Sequence, residues 1–148
     1  MSDRTRFGIA QRDTYDTALA ELMQGRKQTH WMWFIFPQLK VLGRSATARH
    51  FGIADLAEAR AYLADADLGP GLIAVARAVL SHPDRSATQI MGAVDALKLR
   101  SSATLFREAA QDAQTRAVFD AILTTFHDGQ PCEVTLAHLR GQAAPERN

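Results

Sequence analysis

Residues 27–38 read Lys27-Gln-Thr-His-Trp-Met-Trp-Phe-Ile-Phe-Pro-Gln38 and enclose the longest apolar stretch of the chain. Residues 31–36 are apolar on every side, so their periodicity fits a buried helix and a buried strand equally well. Thr29 offers a capping hydroxyl, and Pro37 would end a helix by excluding the preceding residue from the helical region. Each Trp and Phe here can bury about 150–250 Å². We therefore expect a short central helix against which the other elements pack.

The hydrophobic periodicity outside this segment is helical. Tyr15 and Leu22 belong to one apolar stripe, with Asp13 as the expected N-cap and Gly25 as the expected stop. Ser86-Ala-Thr-Gln89 has the spacing of a capping box, which should open the longest helix. That helix is expected to carry one stripe made of Ile90, Val94, Leu97 and Leu105. Further stripes lie within residues 56–63, 72–80, 118–126 and 134–139.

These patterns together predict an all-α fold, since strand alternation with hairpin chemistry is absent from the sequence. We expect a compact multihelical single domain of about six to eight helices around the aromatic segment. The ordered core should cover residues 7–140, with a frayed polar tail over residues 141–148. A length of 148 residues fits one domain that buries roughly two thirds of the surface of its unfolded chain.

The charge balance and the cysteine content limit the classes of function. The chain has 17 basic and 16 acidic residues, a balance that disfavours nucleic acid as the main partner. The one cysteine, Cys132, forms no internal disulfide and has no base nearby in sequence, so it is interpreted as an incidental thiol. A signal peptide and an apolar run of roughly 20 residues are both missing. The sequence therefore predicts a cytoplasmic protein that does not span a membrane.

Motifs of established chemistry are also missing from the sequence. It contains no Gly-rich dinucleotide or phosphate loop, no H-E-x-x-H, no C-x-x-C and no G-x-S-x-G. The histidines do not recur at the helical spacings that would place two of them on one metal ion. They are His30, His50, His82, His127 and His138. We therefore predict neither a metal site nor a cofactor.

Two polar groups flank the aromatic segment. Arg26 and Lys27 end a helix, where cations favour the helix dipole, and that structural role is sufficient to explain them. His30 adjoins a segment that is expected to be buried. It would be either a hydrogen-bonded core residue or a general acid–base. On the other side, Ser45 is a natural N-cap. Arg44 beside it is either a binding residue for a phosphate or carboxylate or an ordinary loop arginine.

A third polar group lies in the long helix. Asp95 and Lys98 are three residues apart, which indicates a surface ion pair worth a few tenths of a kcal/mol. Arg100, Ser101 and Ser102 follow at once. Because serine is a weak helix former, either close helix packing or a ligand would explain the two serines, and we favour packing.

These residues resemble a bacterial family of unknown function, the family numbered 1810. The resemblance is carried by three motifs and covers residues 7–139. The motifs are His30-Trp-Met-Trp-Phe-Ile-Phe-Pro-Gln38, Gly43-Arg-Ser45, and Lys98-Leu-Arg-Ser-Ser102 followed by Thr104-Leu-Phe106. The resemblance implies a compact multihelical fold and no established activity. Some members carry the label calpastatin, a disordered protease inhibitor, which does not fit the composition of this chain.

The chain departs from the family pattern at three places. Asp65 and Ala66 lie where the resemblance implies a His-Pro pair, and Gly71 where it implies an arginine. Cys132 replaces an acidic residue. If these positions belonged to a working site, that site would be altered in this chain.

The first functional hypothesis is a pocket for a small anionic, phosphate-bearing ligand, with or without catalysis. The predicted ligand-binding residues are Lys27, Trp31, Trp33, Gln38, Arg44, Ser45, Lys98, Arg100 and Ser101. His30 would be the catalytic acid–base, because its unperturbed pKa is near neutrality. This hypothesis requires the side chains to converge on one open cleft. The alternative is a protein-interaction or regulatory module, which requires some aromatic side chains of residues 31–36 to reach solvent.

Overall fold

The computed structural model describes residues 4–143, which form ten α-helices and one short 3₁₀ helix. The helices are α1 (Thr5–Arg12), α2 (Tyr15–Met23), α3 (Met32–Ile35), α4 (Ala46–His50), α5 (Leu56–Ala64), α6 (Leu68–Leu80), α7 (Ala87–Met91), α8 (Ala93–Ala109), α9 (Ala113–Phe126) and α10 (Glu133–Ala143). The 3₁₀ helix is Lys40–Leu42. Extended pairing in these residues is limited to one isolated bridge between Leu39 and Ile53. The all-α fold is confirmed, and the helix count exceeds the expected range because three helices have only four or five residues.

The aromatic segment forms α3, a helix of four residues buried in the core. Trp31, Met32, Ile35 and Phe36 are at most 2% exposed. Pro37 follows at once and limits the helix to a single turn. The expected short central helix is therefore present.

Glu21 fixes the approach to α3. Its carboxylate accepts hydrogen bonds from the backbone N–H groups of Gln28 (2.8 Å) and Thr29 (3.1 Å), from the Thr29 hydroxyl (2.7 Å) and from the Trp31 indole N–H (2.9 Å). Burial alone would raise the pKa of Glu21, but these four donors outweigh it and lower the pKa to about 2. Thr29 was expected to cap α3, and this was wrong because its hydroxyl is used by Glu21.

The capping box of Ser86 and Gln89 is present, but it opens α7 rather than the longest helix. Gly92 has a φ of 88°, in the region that favours glycine, and it separates α7 from the 17-residue α8. The expected continuous stripe is therefore wrong. Ile90 is buried in the core, whereas Val94 and Leu97 are 68% and 63% exposed.

The other predicted helix ends agree with the structure in part. Thr14, not Asp13, precedes α2, whereas Gly25 ends it at a φ of 76° and Ser45 caps α4 through the Ala48 N–H at 3.1 Å. Helix α10 continues through residue 143, so the first three residues of the expected tail are helical. Residues 144–148 of that tail lie outside the described residues.

The long helix α8 packs against α5, α7, α9 and α10 and forms the scaffold of the fold. Ser102 is fully buried, in agreement with the packing interpretation, whereas Ser101 is 9% exposed and borders a surface cleft. None of the helices in residues 4–143 combines the length and the apolar composition needed to cross a bilayer.

Candidate functional site

A surface cleft of about 610 Å³ lies between α8, the loop and short helices that follow α3, and the start of α10. We call it the α8 cleft. Its lining residues are Trp33, Gln38, Leu42, Arg44, Ser45, Ala48, Val94, Leu97, Lys98, Arg100, Ser101, Cys132 and Val134. The volume falls in the range typical of small-molecule sites.

The structure brings most of the predicted ligand-binding residues together in this cleft. Those that line it are Trp33, Gln38, Arg44, Ser45, Lys98, Arg100 and Ser101. Helical geometry explains the contribution of α8, because Val94, Leu97, Lys98 and Ser101 are spaced at i, i+3, i+4 and i+7 on one face. Residues far apart in the sequence thus converge, as the first hypothesis requires.

Three cationic side chains line the α8 cleft, and none of the described residues that line it is acidic. The Lys98 ammonium lies 3.5 Å from Asp95 and 5.3 Å from the centre of the Trp33 ring. Arg100 donates two hydrogen bonds of 2.8 Å to the carbonyl groups of Gln130 and Pro131.

Arg44 differs from the other two cations because it has no fixed partner. Its side chain is exposed, and within residues 4–143 its guanidinium makes no hydrogen bond or ion pair. The cleft therefore contains one uncommitted guanidinium and two cations that the protein itself holds in position.

Lys27 and Trp31 do not line the cleft, and both side chains are buried. The Lys27 ammonium lies 2.9 Å from Asp95 and 4.8 Å from the centre of the Trp31 ring, and it donates to the Thr29 carbonyl at 2.6 Å. Trp31 is fully buried. The surroundings give both residues structural roles.

His30 lies on the surface and does not line the cleft. Among the described residues no hydrogen-bond partner holds its ring. The two side chains of the aromatic segment that reach solvent in part are Trp33 and Phe34, both half-buried, and of these Trp33 lines the cleft.

Cys132 lines the cleft as well, although sequence reasoning gave it no role. It precedes α10, its backbone N–H donates to the Thr104 hydroxyl at 2.9 Å, and the Ser101 hydroxyl lies 3.5 Å from its sulfur. Burial raises the pKa of the thiol, but hydrogen bonds from Ser101 and from the first turn of α10 give a net lowering. No local signal marked this residue, because its neighbours in the cleft come from α8.

The other departures from the family pattern lie elsewhere. The Asp65 carboxylate accepts from the backbone N–H groups of Asp67 (2.9 Å) and Leu68 (3.0 Å) at the start of α6. The Gly71 carbonyl accepts from the Tyr15 hydroxyl at 2.7 Å. Neither Asp65 nor Gly71 lines the α8 cleft. Within residues 4–143 there is no group of three or more side chains suited to a metal ion.

Comparison with known proteins identifies relatives but no activity. The model of a family described as "Protein of unknown function (DUF1810)" matches residues 1–139. The crystal structure of the conserved hypothetical protein Rv1873 from Mycobacterium tuberculosis is similar, with 42% identity and a TM-score of 0.88 over 92% of this chain and 95% of that one. No curated protein matches the chain. The resemblance carried by the motif residues is therefore confirmed.

Proposed function

Because the chain belongs to DUF1810, a family of proteins of unknown function, we propose a function from the geometry of its own cleft: the α8 cleft binds a small organic anion. The observation that carries the proposal is the set of three cations, Arg44, Lys98 and Arg100, in a lining without a carboxylate. A phosphate or carboxylate group on the ligand would give Arg44, the cation without a fixed partner, a negative charge to bind.

Arg44 is the expected clamp for that group. A planar guanidinium offers a fork of N–H donors that matches both oxygens of a carboxylate or phosphate. Arg100 is held by the carbonyl groups of Gln130 and Pro131, so its remaining N–H donors are pre-positioned. Pre-positioned donors lose little conformational entropy when a ligand binds.

The proposal is one of binding, and it assigns His30 no catalytic role. His30 lies outside the cleft lining, so the proposal places no ligand atom beside its ring. Among the described lining residues Cys132 is the one thiol, and the pKa of that thiol is lowered from its ordinary value.

Ligand-induced stabilisation tests the proposal. A thermal-shift screen against nucleotides, phosphosugars and carboxylates should raise the melting temperature with at least one anion, because a ligand that binds only the folded state stabilises it. Arg44→Ala should abolish the rise. Arg116→Ala, which removes an exposed arginine of α9 outside the cleft, is the matched control and should keep it.

Cys132 supplies a second, local measurement, since it is the one cysteine of the chain and lines the cleft. A bound anion should slow the alkylation of Cys132 by iodoacetamide in the unmodified chain and in Arg116→Ala, but not in Arg44→Ala. If no anion protects the thiol or stabilises the fold, the proposed function is wrong.

A protein-interaction module without catalysis is the second candidate. The observation in its favour is the exposure of Val94, Leu97 and Val134, each at least 60% exposed, along the cleft. In that case small anions would leave both the melting temperature and the alkylation of Cys132 unchanged.

A further inference from the structure

The α8 cleft concentrates exposed apolar side chains as well as cations. Six large hydrophobic side chains are exposed in the described part of the chain, and three of them, Val94 (68%), Leu97 (63%) and Val134 (60%), line this cleft. Single exposed apolar residues are ordinary on protein surfaces, whereas a cluster in a concave site marks a binding surface. The apolar cluster therefore calls for an apolar part of the ligand.

The free apolar surface is aliphatic rather than aromatic. Trp33 is the one aromatic side chain among the described residues of the lining, it is half-buried, and the Lys98 ammonium already lies over its ring at 5.3 Å. A planar base would have to displace this cation in order to stack on that face. Trp31 and Phe36, the other ring systems of the segment that point inward, are at most 2% exposed.

Along α8, the apolar residues of the cleft precede its cationic residues. Val94 and Leu97 occupy the first part of the cleft face of this helix, and Lys98, Arg100 and Ser101 follow toward its C-terminus. With a rise of 1.5 Å per residue, the face from Val94 to Ser101 is about 10 Å long. A linear chain of roughly this length could cover the apolar end while its charged end reaches the cations.

We propose that the ligand class of the α8 cleft is a free, linear, medium-chain aliphatic anion, a carboxylate or a phosphate monoester, rather than a nucleotide. This inference rests on the proposed function, because the charged end of the ligand is held by Arg44 and Arg100. The chain lies over Val94 and Leu97, and Val134 at the start of α10 covers its other side.

Calorimetric titration of the full chain with butyrate, hexanoate, octanoate, octyl phosphate, inorganic phosphate and AMP tests the inference. The affinity should rise roughly threefold to fourfold for each methylene buried. Octyl phosphate should bind more tightly than inorganic phosphate and AMP. Leu97→Ser should weaken the affinity for octanoate about tenfold and leave the affinity for inorganic phosphate unchanged. Met23→Ser is the matched control, because Met23 is also 63% exposed but lies on α2 outside the cleft.

The outcomes separate this inference from the proposed function. If affinity does not depend on chain length, or AMP binds most tightly, the aliphatic class is overturned, while binding that Arg44→Ala abolishes still supports an anion site. If octanoate binds Arg44→Ala as tightly as it binds the unmodified chain, the anion site fails and so does the anionic class. If no probe binds, both proposals fail. Co-sedimentation with phosphatidylglycerol vesicles without octanoate binding would assign the surface to a membrane and overturn the free ligand.

Discussion

Two lysine–tryptophan pairs share the carboxylate of Asp95, and their surroundings are opposite. The Lys27 ammonium lies over the ring of Trp31, 2.9 Å from Asp95, in a pair that is almost completely buried. The Lys98 ammonium lies over Trp33, 3.5 Å from the same carboxylate, with a quarter of its side chain exposed in the α8 cleft. The same chemistry is thus used once in the interior and once at the surface.

The difference lies in what each pair has left to offer. Lys27 also donates to the Thr29 carbonyl, and the Trp31 indole N–H is used by Glu21, so the inner pair is closed. Lys98 makes no further hydrogen bond within residues 4–143 and borders the cleft. A cation–π pair therefore stabilises the fold where every donor is used, and it can recognise a ligand where donors remain.

Removing each tryptophan in turn should give the largest contrast between the pairs. Trp31→Ala leaves a cavity in the core and removes one of the four donors to the Glu21 carboxylate, so the free energy of unfolding should fall by about 3–5 kcal/mol. Trp33→Ala removes a half-buried side chain and should cost about 1 kcal/mol. Urea denaturation measures both, and equal losses would contradict the distinction between a closed and an open pair.

The pH dependence of stability should report the closed pair through Glu21. Its pKa is lowered from 4.5 to about 2 in the folded protein, so its stabilisation is fully present above pH 4.5 and is lost as the pH falls through 2. Between pH 6 and pH 3 the unmodified chain should lose about 2 kcal/mol more than Glu21→Gln. Because Asp65 and Asp112, whose pKa values are also lowered, are common to both proteins, the difference isolates Glu21. If the free energy of unfolding falls equally with pH in the unmodified chain and in Glu21→Gln, this role of Glu21 is excluded.

The helices follow from local patterns, but some of their ends depend on contacts between distant residues. The glycine stop at Gly25, the N-cap at Ser45 and the capping box at Ser86 are read within a few residues, and all three are present. Thr29 differs from its predicted capping role because its hydroxyl donates to Glu21, a residue of the preceding helix α2. The break at Gly92 leaves no mark in the hydrophobic pattern, which continues on either side of this residue although its positive φ ends the helix.

The cleft was predictable only in part, for the same reason. The motifs of the sequence indicate Arg44 and Lys98 as candidate site residues. That the two line one cleft follows only from the folded structure. Lys27 is a lysine like Lys98 and also lies near a tryptophan in sequence, yet in the structure Asp95 and Trp31 enclose it. Val94 looked like a core residue because the pattern of apolar residues records spacing rather than which face a neighbouring helix covers.

Asp95→Asn should lower the stability that the Lys27 pair contributes and raise the anion affinity of the cleft at Lys98. Lys27, with 8% of its side chain exposed, would lose its ion-pair partner, and the free energy of unfolding should fall by about 1 kcal/mol. Lys98 would be released at the edge of the cleft, so the affinity for an anion should rise by a factor of about 2–5, which corresponds to roughly 0.5–1 kcal/mol. Urea denaturation and calorimetry with the anion identified in the screen measure the two effects. Asp120→Asn, at an exposed carboxylate of α9 outside the cleft, is the control.

Fluorescence quenching should detect the contrast in the folded protein, independently of a stability measurement. Trp33→Phe leaves Trp31 as the one indole, and acrylamide should quench it weakly because Trp31 is fully buried. Trp31→Phe leaves Trp33, which is half-buried at the cleft and should be quenched several times more efficiently. Addition of the anion should protect Trp33 and leave the quenching of Trp31 unchanged, since only Trp33 borders the ligand. If both indoles are strongly protected in the free protein, Trp33 is closed to solvent as Trp31 is. The outer end of the aromatic segment then does not contact a ligand.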